Sequence, residues 1–310
     1  MDQRAVDRQG RLAGCAAALI LVAGVAHAGV YQWRDADGRV HFSDSAPAHA
    51  PSSNLTDQYD FSLPFEIVID GIDYRISPVV RERLKTHVRK IFAIYQQALD
   101  IDYPQTREFR IVIYGDEAEY RRYQRHVAPI LENASGFYNA RTNQITTWGM
   151  ADGHLLRLIT HEVSHAISAS HGRFVPTWLN EGLAEYFEQI DVAGLGARVP
   201  VSDHWLHVLK RRQMHRQPPD LRLVLDAQHQ DWYAANSHDA ISYATSWSLV
   251  WFLMDSQEGR ALVRDLLART HNPASINTSA LISTRWPGGL AAFTEDWRKW
   301  LGKASGSHGY

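Results

Sequence analysis

Apolar residues recur along this chain with two spacings, and each marks a different element. A period of two runs through residues 30–33 and 40–42, on either side of the turn signal Asp35-Ala36-Asp37-Gly38, which predicts a small β-hairpin. The stretch 45–57, SAPAHAPSSNLTD, is rich in Ala, Pro and Ser, shows no periodicity, and reads as a linker. Beyond it, FEIVIDG (65–71) and EFRIVIYG (108–115) are buried-strand candidates, and residues 79–99 and 116–127 space their apolar positions at helical intervals. GFYNARTNQITTW (136–148) reads as a second hairpin with its turn near 141–143. Two helices are predicted next, over 152–172 and 176–190. Further helical periodicity appears around 202–213, 239–255, 259–269 and 289–301, with little that reads as strand. The order of elements predicts an α+β fold: a mixed sheet, then a helical C-terminal lobe, with a small β-hairpin domain in front.

The first residues read as a processing signal. Arg4, Arg8 and Arg11 precede an apolar run that ends in Ala26-His27-Ala28, small residues at the positions signal peptidase reads. Cleavage near Ala28 predicts an exported chain, periplasmic or secreted. The apolar run is shorter than the roughly 20 residues that cross a bilayer, so no stable membrane anchor is expected. Cys15 lacks a preceding apolar run, which argues against a lipidated cysteine. The expected domains are therefore a signal at 1–28, the hairpin domain at 29–47, a linker at 48–60 and one large domain at 61–305.

Composition narrows the chemistry. Cys15 is the only cysteine among 310 residues and falls inside the signal, so a mature chain has no disulfide and no thiolate to offer. Any catalytic metal must be held by His, Asp or Glu. Lysine and arginine total 32 against 34 acidic residues, and loss of the signal leaves the balance mildly acidic. That argues against nucleic acid as a partner. Nothing in the sequence sets an oligomeric state.

The helix predicted over 152–172 carries His161-Glu162-Val163-Ser164-His165. Residues four apart share a helix face, so both imidazoles can aim at one point, while Glu162 projects about 100° away and can reach a water held there. The plain alternative is a chance pairing in a chain with 16 histidines. The surroundings favour a site. Leu155, Ile159, Val163, Ala166 and Ile167 form an apolar stripe that turns the His-Glu-His face toward a cleft, with Asp152 placed to cap the helix and Gly172 to end it. The next helix presents Glu181 and Glu185 one turn apart, and Glu181 can supply a third ligand. Two imidazoles and a carboxylate beside a catalytic water point to one zinc ion. His204 and His207 are three apart on a basic helix face, which reads as surface rather than as a second metal site. His154 and His171 lie at the ends of the helix, off the ligand face.

Two resemblances follow from these residues. Tyr31, Trp33, Asp37, Gly38, His41, Phe42, Ser43, Asp44 and Pro47 resemble a short domain of unknown function found at the start of many exported bacterial proteins. His161-Glu162-Val163-Ser164-His165 followed by Trp178-Leu179-Asn180-Glu181-Gly182 resembles the gluzincin metallopeptidases, and the compact whole is similar to the smaller peptidase MA-like domains. The gap from His165 to Glu181 is shorter than in the large zinc aminopeptidases. The resemblance implies a gluzincin-like fold, an edge strand beside the active-site helix, and a peptide or protein substrate. It implies zinc on His161, His165 and Glu181, with Glu162 as general base. Glu185 matches the place of a carboxylate that orients a ligand histidine through its distal N–H; the alternative is a solvated helix glutamate. Tyr243 matches the place of a hydroxyl that stabilises the oxyanion; the alternative is core packing. Outside this class stand a non-catalytic, metal-stabilised module that binds peptide, cell wall or a partner protein, and zinc-assisted hydrolysis of another amide such as one in peptidoglycan.

Overall fold

A computed structural model describes residues 31–34, 40–43, 51–54, 66–101, 108–131, 134–171, 174–194, 196–234, 240–270 and 277–310. The predicted signal and Gly172 lie outside these residues. The chain divides into two compact units, Met1–Asp60 and Phe61–Tyr310.

In the first unit, β1 (Tyr31–Arg34) pairs antiparallel with β2 (Val40–Ser43), as the alternation around the Asp-Gly turn predicts. A third strand, β3 (Ser52–Asn54), joins the other side of β1. It lies in the stretch expected to be linker. Three residues are too short to show an alternation, and their order comes from the ladder with β1 rather than from any local signal.

The second unit is α+β. Its main sheet has the order β4–β5–β7–β6, from β4 (Ile67–Ile72), β5 (Phe109–Tyr114), β6 (Gly136–Asn139) and β7 (Gln144–Trp148). The first three in that order run parallel, and β6 is an antiparallel edge strand. Crossing from β4 to β5 takes α1 (Pro78–Leu99), opened by the Ser77 side chain accepting from the Val80 N–H and closed by Asp100 in the left-handed region. Next comes α2 (Glu117–Val127), capped by Asp116. The β6–β7 turn is held by Asn143, which has φ 52°, donates to the Glu108 carbonyl at 2.9 Å and accepts from the Tyr138 hydroxyl at 2.9 Å.

Two helices then enter the core. In α3 (Asp152–His171) the stripe Leu155, Ile159, Val163, Ala166 and Ile167 is buried. Asp152 is its first helical residue rather than its cap, and the Ala151 carbonyl accepts from Leu155 N–H. In α4 (Thr177–Glu188), Trp178, Leu179, Leu183, Tyr186 and Phe187 are buried, leaving little solvent face.

The remainder is mostly helical: α5 (Asp203–Met214), α6 (Leu221–Asp226), α7 (His229–Ala234), α8 (Ile241–Met254), α9 (Gln257–Ala268), α10 (Thr278–Arg285) and α11 (Gly289–Lys303). A second antiparallel sheet was not expected. It joins β8 (Asp191–Ala193), β9 (Gly196–Pro200) and β10 (Ser307–Gly309), and carries the large unit past residue 305 to the chain's last residues. β8 and β10 hold only three residues each, too few to show a period, and the β9–β10 ladder pairs residues more than a hundred positions apart. Among the described residues no helix is long and apolar enough to cross a membrane.

Gly182 sets how closely α4 meets α8, which is apolar on every side and almost wholly buried. A Cβ at Gly182 would lie 2.6 Å from the Ser246 carbonyl oxygen and 2.8 Å from Val250 Cγ2. Gly182→Ala should therefore destabilise the fold by about 1–3 kcal/mol through overpacking. Thermal denaturation checks this, and an unchanged melting temperature would contradict the contact.

Candidate metal centre

One face of α3 and one face of α4 meet at His161, His165 and Glu181. Their candidate ligand atoms all lie within 4.8 Å of one another. His161 Nε2 is 3.7 Å from Glu181 Oε2, and His165 Nε2 is 3.8 Å from Glu181 Oε1. The imidazoles stand nearly perpendicular, with ring centroids 4.8 Å apart and 82° between planes. Both distances exceed hydrogen-bond range. They approach the separation of about 3.3 Å between two donors placed about 2.05 Å from one tetrahedral ion.

The helices hold these groups in place. Ser164, between the two histidines, shares a buried 2.7 Å hydrogen bond with the Tyr95 hydroxyl of α1. Glu181 is 4% exposed and sits one residue before the tight crossing at Gly182.

The His161 ring is flanked on its other edge by carboxylates. Nδ1 is 3.3 Å from Glu188 Oε2, a hydrogen bond, and 3.9 Å from Glu185 Oε1. Glu185 is placed near the ring as predicted, but its other oxygen accepts from the Trp205 indole N–H at 2.8 Å, so the direct contact falls to Glu188. The sequence held a sign of this: Glu181, Glu185 and Glu188 follow i, i+4, i+7 and share one face of α4.

Burial and charge set the protonation of these groups. Burial alone would lower His161, but the surrounding Glu181, Glu188, Glu185 and Glu162 carboxylates outweigh it and hold the imidazole well above its usual value. Burial would raise Glu181. The positive charges of His165 and His161 and a Tyr233 hydrogen bond overcome it and bring the carboxyl down to about 2. For Glu185 burial prevails over the pull of His161, and the neighbouring Glu188 adds to it, so its carboxyl is pushed up to about 7.

Glu162 is 6% exposed and lines the same cavity of about 490 Å³ as the three ligand candidates. Tyr243 lines it too, packed edge-on against Trp232 with ring centroids 4.7 Å apart. Burial first and the Glu181 charge second push its phenol above the usual range. Of the hairpin aromatics, Phe137 and Tyr138 face the cavity, whereas Trp148 packs on Tyr120 at 4.9 Å.

A residue absent from the sequence reading completes the arrangement. Tyr233 lines the cavity and donates its hydroxyl to Glu181 Oε1 at 2.6 Å. It lies 52 positions beyond Glu181 on the six-residue α7, and no spacing rule connects the two. His204 and His207 are exposed on α5 and take no part. Among the described residues the possible metal-ligand groups are two, and both include His161.

A ring held protonated above pH 6.5 must release its proton before it can bind a cation. Affinity for a divalent cation should therefore keep rising with pH above 6.5. Titration calorimetry at pH 7 in two buffers of different ionisation enthalpy measures the released proton, and identical apparent enthalpies would contradict the assignment. Residues 17–58 match a family described as a domain of unknown function (DUF4124), and residues 156–274 match one described as a protein of unknown function (DUF1570). The second match spans His161, Glu162, His165, Glu181, Glu185, Glu188, Tyr233 and Tyr243. No curated protein matches the chain.

Proposed function

We propose that this protein is an exported, gluzincin-like zinc hydrolase that cleaves peptide bonds. One observation carries the reading: His161, His165 and Glu181 converge on the wall of a cavity that also holds a buried carboxylate one residue from the first histidine. The donor set suits zinc. Half-buried imidazoles and a buried carboxylate set 3.7 and 3.8 Å apart do not satisfy one another by hydrogen bonding, and polar groups largely kept from water are costly unless something between them does. When bound, the ion supplies Lewis acidity to the scissile carbonyl and makes an attacking water acidic near neutral pH.

The remaining work falls to the chain's own side chains. Glu162 takes the proton of the attacking water and passes it to the leaving amine. Tyr243 donates its hydroxyl to the oxygen that gains charge at the tetrahedral carbon. Glu188 accepts from His161 Nδ1, with Glu185 standing 3.9 Å from the same nitrogen, and this contact fixes which ring nitrogen would face a metal. An extended substrate lies along β6, whose outer edge carries no partner strand among the described residues and whose Gly136, Phe137 and Tyr138 face the cavity. Export follows from the charged, then apolar, then small-residue order of the first 28 positions.

Glu162→Gln keeps shape and burial but cannot accept a proton. It should retain the wild-type zinc content and lose about 10²–10⁴-fold in rate against a peptide library. Cleavage at the wild-type rate would overturn the role of Glu162. A wild-type protein that holds zinc yet cleaves nothing would favour the non-catalytic binding module.

A further inference from the structure

The hydrogen bond from Tyr233 to Glu181 bears on how the third ligand is held. Tyr233 packs edge-on against Trp232 at 5.0 Å and His229 at 4.7 Å, and its ring centroid lies 6.4 Å from that of Tyr243. These contacts fix the ring, so the 2.6 Å approach of its hydroxyl to a carboxylate oxygen is a directed contact of the strong, charge-assisted kind. The two oxygens of Glu181 are therefore not equivalent. Oε1, which faces His165, accepts the phenol O–H and has a lone pair committed to it, while Oε2, which faces His161, is left clear of that contact.

A phenol has one proton to give. Tyr233 gives that proton to Glu181.

Building on the zinc reading above, we infer that Tyr233 is a positioning residue: its hydroxyl occupies Glu181 Oε1, so that Glu181 binds a cation through Oε2 alone. A carboxylate that closed on the ion with both oxygens would take up the coordination position that water or substrate needs. Tyr233 thus keeps that position open without touching the reacting atoms. The two tyrosines divide the work, Tyr233 on the ligand and Tyr243 on the substrate.

Tyr233→Phe in the full chain removes only the hydroxyl. Chelator competition should show zinc binding about 10–100-fold weaker than wild type, the range expected when a partner that orients a metal ligand is lost. The cobalt-substituted variant gives a second readout. Entry of the freed carboxylate oxygen raises the coordination number, so its visible d–d absorption should weaken relative to wild type. A cobalt spectrum unchanged from wild type overturns the inference while leaving the metal site standing. A variant apoprotein that no longer folds also overturns it, because the hydroxyl would then be a structural support. Failure of the wild type to bind zinc or cobalt would instead remove the reading on which the inference rests.

Discussion

Two half-buried imidazoles and a buried carboxylate meet in this protein at separations too long for hydrogen bonds and too short for independence. Glu188 and Tyr233 each partner one edge of the group, but the facing Nε2 atoms and Glu181 Oε2 do not satisfy one another, and a polar atom withdrawn from water without a partner costs about 1–3 kcal/mol. A fold that gathers three of them, and adds Glu162 and Glu185 nearby, needs something to bind them together. The surrounding structure is organised to bear that cost. The Ser164–Tyr95 bond ties one helix to α1, Gly182 lets the other approach α8 to van der Waals distance, and Trp205 and Tyr233 each donate to a glutamate of α4.

The charge pattern follows from the same crowding. Burial raises the carboxyls of both Glu181 and Glu185, while their neighbours act on the two differently. Glu181 lies between two imidazoles and stays ionised; Glu185 lies beside other carboxylates, and its carboxyl rises to about 7. Along one helix face, carboxylates one turn apart thus occupy opposite regimes, which suits one to a cation and the other to holding the ring that binds it.

Much of this was legible in the sequence because it is written at short range. His161, Glu162 and His165 sit within one helical turn, and the buried stripe from Leu155 to Ile167 follows the helical period, so the face and its orientation are fixed together. Glu181 was legible through the spacing of the next helix, and the alternation of β6 and β7 marked the hairpin. What escaped the reading depends on distant pairing. The three-residue strands β3 and β10 have no period of their own and are ordered by ladders with β1 and β9. Tyr233 reaches Glu181 only because α7 packs beside α4, and its role is a property of tertiary structure. Glu188 was available from the i, i+7 step but was hidden behind Glu185, which lies nearer in sequence to Glu181 and whose second oxygen turns to Trp205.

The central claim is that one ion joins His161, His165 and Glu181 and leaves a corner open. Diffraction from zinc-loaded crystals recorded on both sides of the zinc absorption edge tests it most directly. The account predicts a single anomalous peak about 2.0–2.2 Å from both histidine Nε2 atoms and one Glu181 oxygen. A zinc-loaded protein with no peak at that point, or with its peak on other side chains, would contradict it.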